Sequence, residues 1–158
     1  MTVTTTQVFP AMARLYDLLS AETTFPPHDS GDTPLVVFGG LVNEASRELI
    51  VILGAPPDTP EIDFADLGVV GHDEVFVIRI AVATMVPGQF GTDVMARLGE
   101  LTATIETALR DQTTGRPVGI NISAILWHRI GRIMPSLSLG PEGVEGQCLI
   151  DIVFRSRI

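Results

Sequence analysis

The sequence predicts an α+β fold, a mainly antiparallel sheet with two helices packed on one face, in the order α-β-β-β-α-β-β. Three observations carry this. Two stretches repeat apolar residues at steps of three and four, the helical period. The other apolar runs have strand length and are rich in β-branched residues. Strands adjacent in sequence are joined mostly by turns, which favours antiparallel pairing over crossover connections.

The first helix is expected over residues 10–22. Pro10 suits a first helical turn, where its missing N–H removes no hydrogen bond, and Met12, Leu15, Leu18 and Leu19 share one face. Phe25-Pro26-Pro27 ends it, because a residue before proline is pushed out of the α region. Residues 34–38 and 49–53 are short apolar runs flanking a polar stretch and read as a hairpin-like pair, with Gly39-Gly40 marking a bend. Residues 54–73, rich in proline and acids, read as a long loop. The clearest strand follows over 74–86. Phe76, Ile78, Ile80 and Val82 alternate onto a core face, and Val75, Val77, Arg79, Ala81 and Ala83 onto the other.

The second helix is expected over 92–111, with Thr92 as N-cap and Asp93 at the positive end of the helix dipole. Val94, Leu98, Leu101, Ile105 and Ala108 with Leu109 form its apolar stripe, and Arg97, Glu100, Thr104 and Arg110 take the other side. Residues 122–130 form a strand, which 131–139 either continue or follow as a bent second piece. Gly-rich residues 140–146 read as a turn. In the last strand Cys148, Ile150, Ile152 and Phe154 face the core, opposite Gln147, Asp151 and Arg155. The expected organisation is a single domain over 1–158, with a flexible N-terminus over 1–8.

At 158 residues the chain is long enough to bury one self-sufficient core, roughly 70% of its unfolded surface. Hydrophobic residues make up 46% and charged residues 18%, with mean hydropathy +0.36, which implies either an unusually complete core or apolar surface covered by a partner. Nothing in the sequence addresses it to a membrane or for secretion. Nineteen acids stand against ten arginines and no lysine, a net charge of −9 that disfavours gripping nucleic acid by counterion release. A single cysteine, Cys148, excludes an internal disulfide and a Cys-based zinc cluster; its phase makes it a small core residue.

Catalytic motifs are missing. The sequence has no phosphate-binding loop, no G-x-G-x-x-G after a strand, no H-E-x-x-H and no G-x-S-x-G. His28, His72 and His128 lie far apart and read as solvated histidines, not metal ligands. Glu61, Asp63 and Asp66 cluster in the expected loop, where carboxylates suit charge display better than proton transfer. No catalytic residue, cofactor or metal is expected. Trp127, beside His128 and Arg129, reads as packed at a sheet edge, with a binding surface as the alternative.

Three features carry a resemblance. They are the Pro/Asp-rich segment running into Val69-Val-Gly-His-Asp-Glu-Val-Phe-Val-Ile, the long strand followed at once by an amphipathic helix over 92–111, and the Gly-rich turn and strand over 140–154. In this pattern the chain resembles the tail terminator proteins of long-tailed bacteriophages, from the first helix to the last strand. The resemblance implies a non-enzymatic virion subunit at the head-proximal end of the tail, assembled in the host cytoplasm. Such a subunit forms a homo-oligomeric ring, normally a hexamer, that caps the tail tube protein and stops its polymerisation. It joins the tail to head-completion or neck proteins and lets DNA pass without sequence-specific binding. The alternatives are a tail-tube or head–tail connector subunit, and a small ligand-binding or enzymatic α+β domain.

Ring assembly needs complementary patches. The candidate subunit-interface residues are Asp63, Phe64 and Asp66 in the expected loop, and Arg79, Arg97, Trp127, Arg129, Arg132 and Arg155, because arginine and aromatic residues are enriched at interfaces.

Overall fold

The structure, a computed structural model, describes residues 6–21, 25, 33–39, 48–56, 63–66, 72–85, 91–110, 125–140 and 143–157. The elements are α1 (Val8–Ser20), β1 (Leu35–Phe38), β2 (Glu48–Gly54), β3 (Asp63–Asp66), β4 (His72–Met85), α2 (Gly91–Leu109), β5 (Ile125–Gly140) and β6 (Gly143–Arg157). The α+β class and the expected order hold, with β3 added.

One sheet runs β1-β2-β4-β6-β5, and β3 pairs with β4 beyond the end of β2. The long central pairs are antiparallel, β4 with β6 from Asp73↔Arg157 to Met85↔Glu145 and β5 with β6 from Ile125↔Ser156 to Gly140↔Gly143. Both helices pack on one face. There Ile50 and Ile52 of β2, Phe76, Ile78, Ile80 and Val82 of β4, and Cys148, Ile150, Ile152 and Phe154 of β6 are buried. Ala11, Leu15 and Leu19 of α1 and Leu98, Leu101, Ile105 and Leu109 of α2 close over them. The expected inward alternation of β4 and β6 is observed, and the apolar stripe of α2 is buried except for Ala108, which is half-buried. Each fully buried Leu or Ile of this layer contributes roughly 1.5–3 kcal/mol.

α1 has no side-chain cap of its own at Gln7. The Gln7 N–H is met from the sheet instead, and the Val8 N–H by the Thr6 hydroxyl at 3.3 Å. The buried Glu74 carboxyl of β4 accepts from the Gln7 N–H at 2.8 Å, from the Thr6 hydroxyl and from the Ser156 hydroxyl at 3.0 Å. The helix ends at Ser20, earlier than expected, because Ala21 is extended at φ −61° and ψ 132°.

Three expectations need correction, and one open reading is decided. β1 and β2 are parallel, Leu35↔Leu49 to Phe38↔Ile52, and not a hairpin. Nine residues separate them, too many to force a tight turn, and both short runs bury the same parity of residue against α1. Residues 54–73 are not one long loop, because Asp63–Asp66 forms β3. β4 is longer than β2, which covers only Arg79 to Thr84, so the first residues of β4 present an open edge that β3 fills. Of the two readings of 131–139, continuation of the preceding strand holds, with a register shift between Ile130 and Arg132 at Gly131. That bulge keeps Ile130 and Ile133 on one face, which breaks the period-two signal.

The third correction concerns 140–146. β5 runs to Gly140 and β6 begins at Gly143, whose φ of 143° favours glycine. Gly146 lies inside the strand, opposite Thr84. A Cβ there would stand 2.5 Å from Val94 Cγ1 and 2.7 Å from Leu98 Cδ1. This glycine lets α2 sit down on β6 and does not mark a turn.

Candidate assembly surface

Strand alternation that buries Phe76, Ile78 and Ile80 under the helices sends Val75, Val77 and Arg79 to the opposite face. Register carries the same split across the sheet. Val77 pairs with Val153 and that with Arg129; Val75 pairs with Arg155 and that with Trp127; Arg79 pairs with Asp151 and that with Arg132. Five of the candidate interface residues, Arg79, Trp127, Arg129, Arg132 and Arg155, are therefore gathered on the outer face of β4, β6 and β5. No described element packs on this face.

Two buried carboxyls organise it. Asp151 takes Arg79 Nε at 2.7 Å and Nη2 at 3.1 Å, and Arg132 Nε at 3.0 Å. The Asp151 side chain is 3% exposed, and the Arg132 side chain that bonds it is 52% exposed. Asp73 accepts from Arg155 Nε at 2.7 Å and from Arg157 Nε at 3.4 Å. The Arg155 hydrogen bond holds the Asp73 carboxyl below its ordinary value; burial opposes this, and Arg157 adds to the lowering. The Arg129 guanidinium lies 5.9 Å from the centre of the Trp127 ring, in cation–π range.

Arg97 stands apart. It lies on α2 and reaches β2, where Nε and Nη2 donate to the Glu48 carboxyl at 2.6 and 2.8 Å, while Nη1 donates to Glu100 at 2.7 Å. The Glu48 hydrogen bonds keep this guanidinium charged, with its pKa raised despite burial. Asp63, Phe64 and Asp66 are the β3 residues that pair with Val75, Glu74 and His72. Their side chains, like Glu61 and His28, lie outside the described residues.

His128 corrects an expectation. It is not a solvated histidine: it is buried in β5, its Nε2 is 3.0 Å from the Leu109 carbonyl at the end of α2, and its ring stacks on Phe154 at 5.8 Å. Burial pushes its pKa down, and the Leu109 contact partly offsets this. Cys148 is buried in the core, as expected. Among the described residues no group of three or more His, Cys, Asp or Glu side chains is placed to hold a metal ion. Among them, too, no helix is long and apolar enough to cross a membrane.

Sequence reasoning missed Asp73, Asp151 and Arg157 as organisers of the face. It also missed the open edge of β5, where Ile133, Leu137 and Leu139 are 46%, 46% and 87% exposed. A hint of the first lay in the sequence, since Asp73, Asp151, Arg155 and Arg157 all alternate with core residues.

No family model and no curated protein matches the sequence. Among solved structures, the fold is similar to a chain in the virion of a native gene transfer agent (GTA) particle. That match has a TM-score of 0.55 at 17% identity and covers 97% of this chain and 98% of the other, so the two share a fold from end to end.

Proposed function

We propose that this chain is a structural, non-enzymatic virion subunit, and within the virion the tail terminator of a long-tailed, phage-like particle. The observation that carries the proposal is the end-to-end fold likeness to a gene transfer agent virion chain, with nearly the whole of both chains covered. The local pattern of the sequence supports the finer assignment. A two-layer fold with helices on one side and a charged, partly apolar sheet face on the other suits a molecule whose working parts are surfaces. In this role copies close into a ring, six-fold in the terminator family, on the last ring of the tail tube. They stop tube growth and meet the neck proteins on the other side, at the head-proximal end of the tail.

A tail-tube or connector subunit shares the fold support and is the second reading. Polymerisation separates the two. A tube subunit stacks into long filaments, whereas a terminator stops at one ring and caps preformed tubes. Light scattering coupled to size-exclusion chromatography, with negative-stain microscopy of the same fractions, tests this. Single rings without filaments are the expected result. Filaments would move the assignment to the tube, and a strict monomer at every concentration would overturn the ring.

A further inference from the structure

We infer that the outer face of β4, β6 and β5 is the surface through which one copy of this chain receives the acidic remainder of the next. The inference rests on the ring-subunit proposal and names the surface that proposal leaves open. The described side chains on this face include Arg79, Arg129, Arg132, Arg155 and Arg157, against the acids Asp73, Asp151 and Glu145. Five arginines against these three acids leave +2 among the described side chains, and Asp63, paired in register with Val75, adds a fourth acid on this side, for +1. The whole chain carries ten arginines and nineteen acids, so the remainder carries −10. Half of the chain's positive charge is thus concentrated on one face of a strongly acidic protein.

The composition of the face favours protein over phosphate as the occupant. Asp73 and Asp151 are buried among the arginines and take up part of their charge, leaving exposed guanidinium edges on a floor of Val75, Val77, Leu149 and Val153. Arginine set among aliphatic residues, with Trp127 beside it, is the make-up of a protein interface. A free polyanion is instead gripped by many unpaired cations.

Charge also sets the geometry. Two such faces repel each other, which disfavours a contact of face on face. A cationic face on one copy and an acidic remainder on the next make a head-to-tail contact, the kind that closes into a ring.

The test compares two double variants with the same net charge, Arg129→Glu/Arg132→Glu on the face and Arg14→Glu/Arg110→Glu on the helix layer. All four positions are partly or fully exposed, and circular dichroism with thermal melting checks that both variants fold. Sedimentation equilibrium at 0.1 M salt reads the dissociation constant of the oligomer. The face variant is expected to raise it at least tenfold and the helix-layer variant to leave it within about threefold, while Arg129→Lys/Arg132→Lys retains most of the affinity. Raising salt to 0.5 M should weaken wild type and abolish the difference between variants, since screening then acts within about 4 Å.

Equal effects of the two glutamate variants, or none from either, would overturn the inference while leaving the ring intact. A monomeric wild type would overturn both. Binding of a duplex oligonucleotide by wild type, lost in the face variant, would overturn the inference in favour of a phosphate surface.

Discussion

Arg97 ties α2 to β2, and its removal should destabilise the fold far more than removal of the carboxyl it holds. The Arg97 fork meets Glu48 in two hydrogen bonds, with side chains 10% and 4% exposed. Arg97→Ala takes the guanidinium from a carboxyl that is nearly cut off from water, a change that typically costs about 3–5 kcal/mol. Glu48→Ala is milder, about 1–3 kcal/mol, because Arg97 keeps Glu100 at 2.7 Å and Glu100 is 51% exposed to solvent. Against a total stability of about 5–15 kcal/mol, the first change removes about a fifth or more. Urea unfolding followed by circular dichroism checks this. With a slope of about 2 kcal/mol/M, Arg97→Ala should lower the midpoint by about 1.5–2.5 M at unchanged slope. The double variant should be more stable than the sum of the two losses implies, because the pair is counted twice in the singles. Equal losses from both single variants, or a loss below about 1 kcal/mol for Arg97→Ala, would refute the reasoning.

Other outcomes follow from the same packing. Gly146→Ala drives a methyl into Val94 and Leu98 and should cost about 1–3 kcal/mol, lowering Tm by about 2–4 °C for each kcal/mol; a differential scanning calorimetry trace unchanged from wild type would count against the close seating of α2. Thr84 is buried and its hydroxyl makes no hydrogen bond among the described residues, so Thr84→Val should be neutral or stabilising by up to about 1 kcal/mol in the same calorimetry. His128 has a folded pKa below its ordinary 6.5, so its unfolded form binds the proton first. Its contribution is whole above pH 6.5 and is lost as pH falls through the folded value. Urea midpoints measured downward from pH 7.5 should fall more steeply for wild type than for His128→Gln. Asp73, held below 3.8 chiefly by Arg155, adds a second loss of the same sign at more acid pH, and Asp73→Asn should flatten the stability profile there.

The parts legible in the sequence are those fixed by local periodicity. The stripe Val94, Leu98, Leu101, Ile105, Leu109 and the alternation Phe76, Ile78, Ile80, Val82 each follow from one element's own geometry, and the structure buries all of these residues, leaving only Ala108 of the expected stripe half-buried. What stayed hidden depends on partners distant in the chain. β3 exists because β4 outruns β2, which no window around Asp63–Asp66 reveals. Gly146 looks like turn chemistry until α2, some fifty residues earlier, is laid across it. The candidate arginines were chosen by residue type alone. Arg79 finds its carboxyl at Asp151, 72 residues away, and Arg155 at Asp73, 82 away, so the gathering on one face becomes visible only with the register of β4 and β6. Arg97 shares their composition and not their place.

The most direct test of the account is electron microscopy of particles assembled with and without this chain. Loss of the chain should leave overlong tails or tails without heads, and adding back the purified protein should restore capped tubes of normal length. Normal-length tails joined to heads in its absence would contradict the assignment.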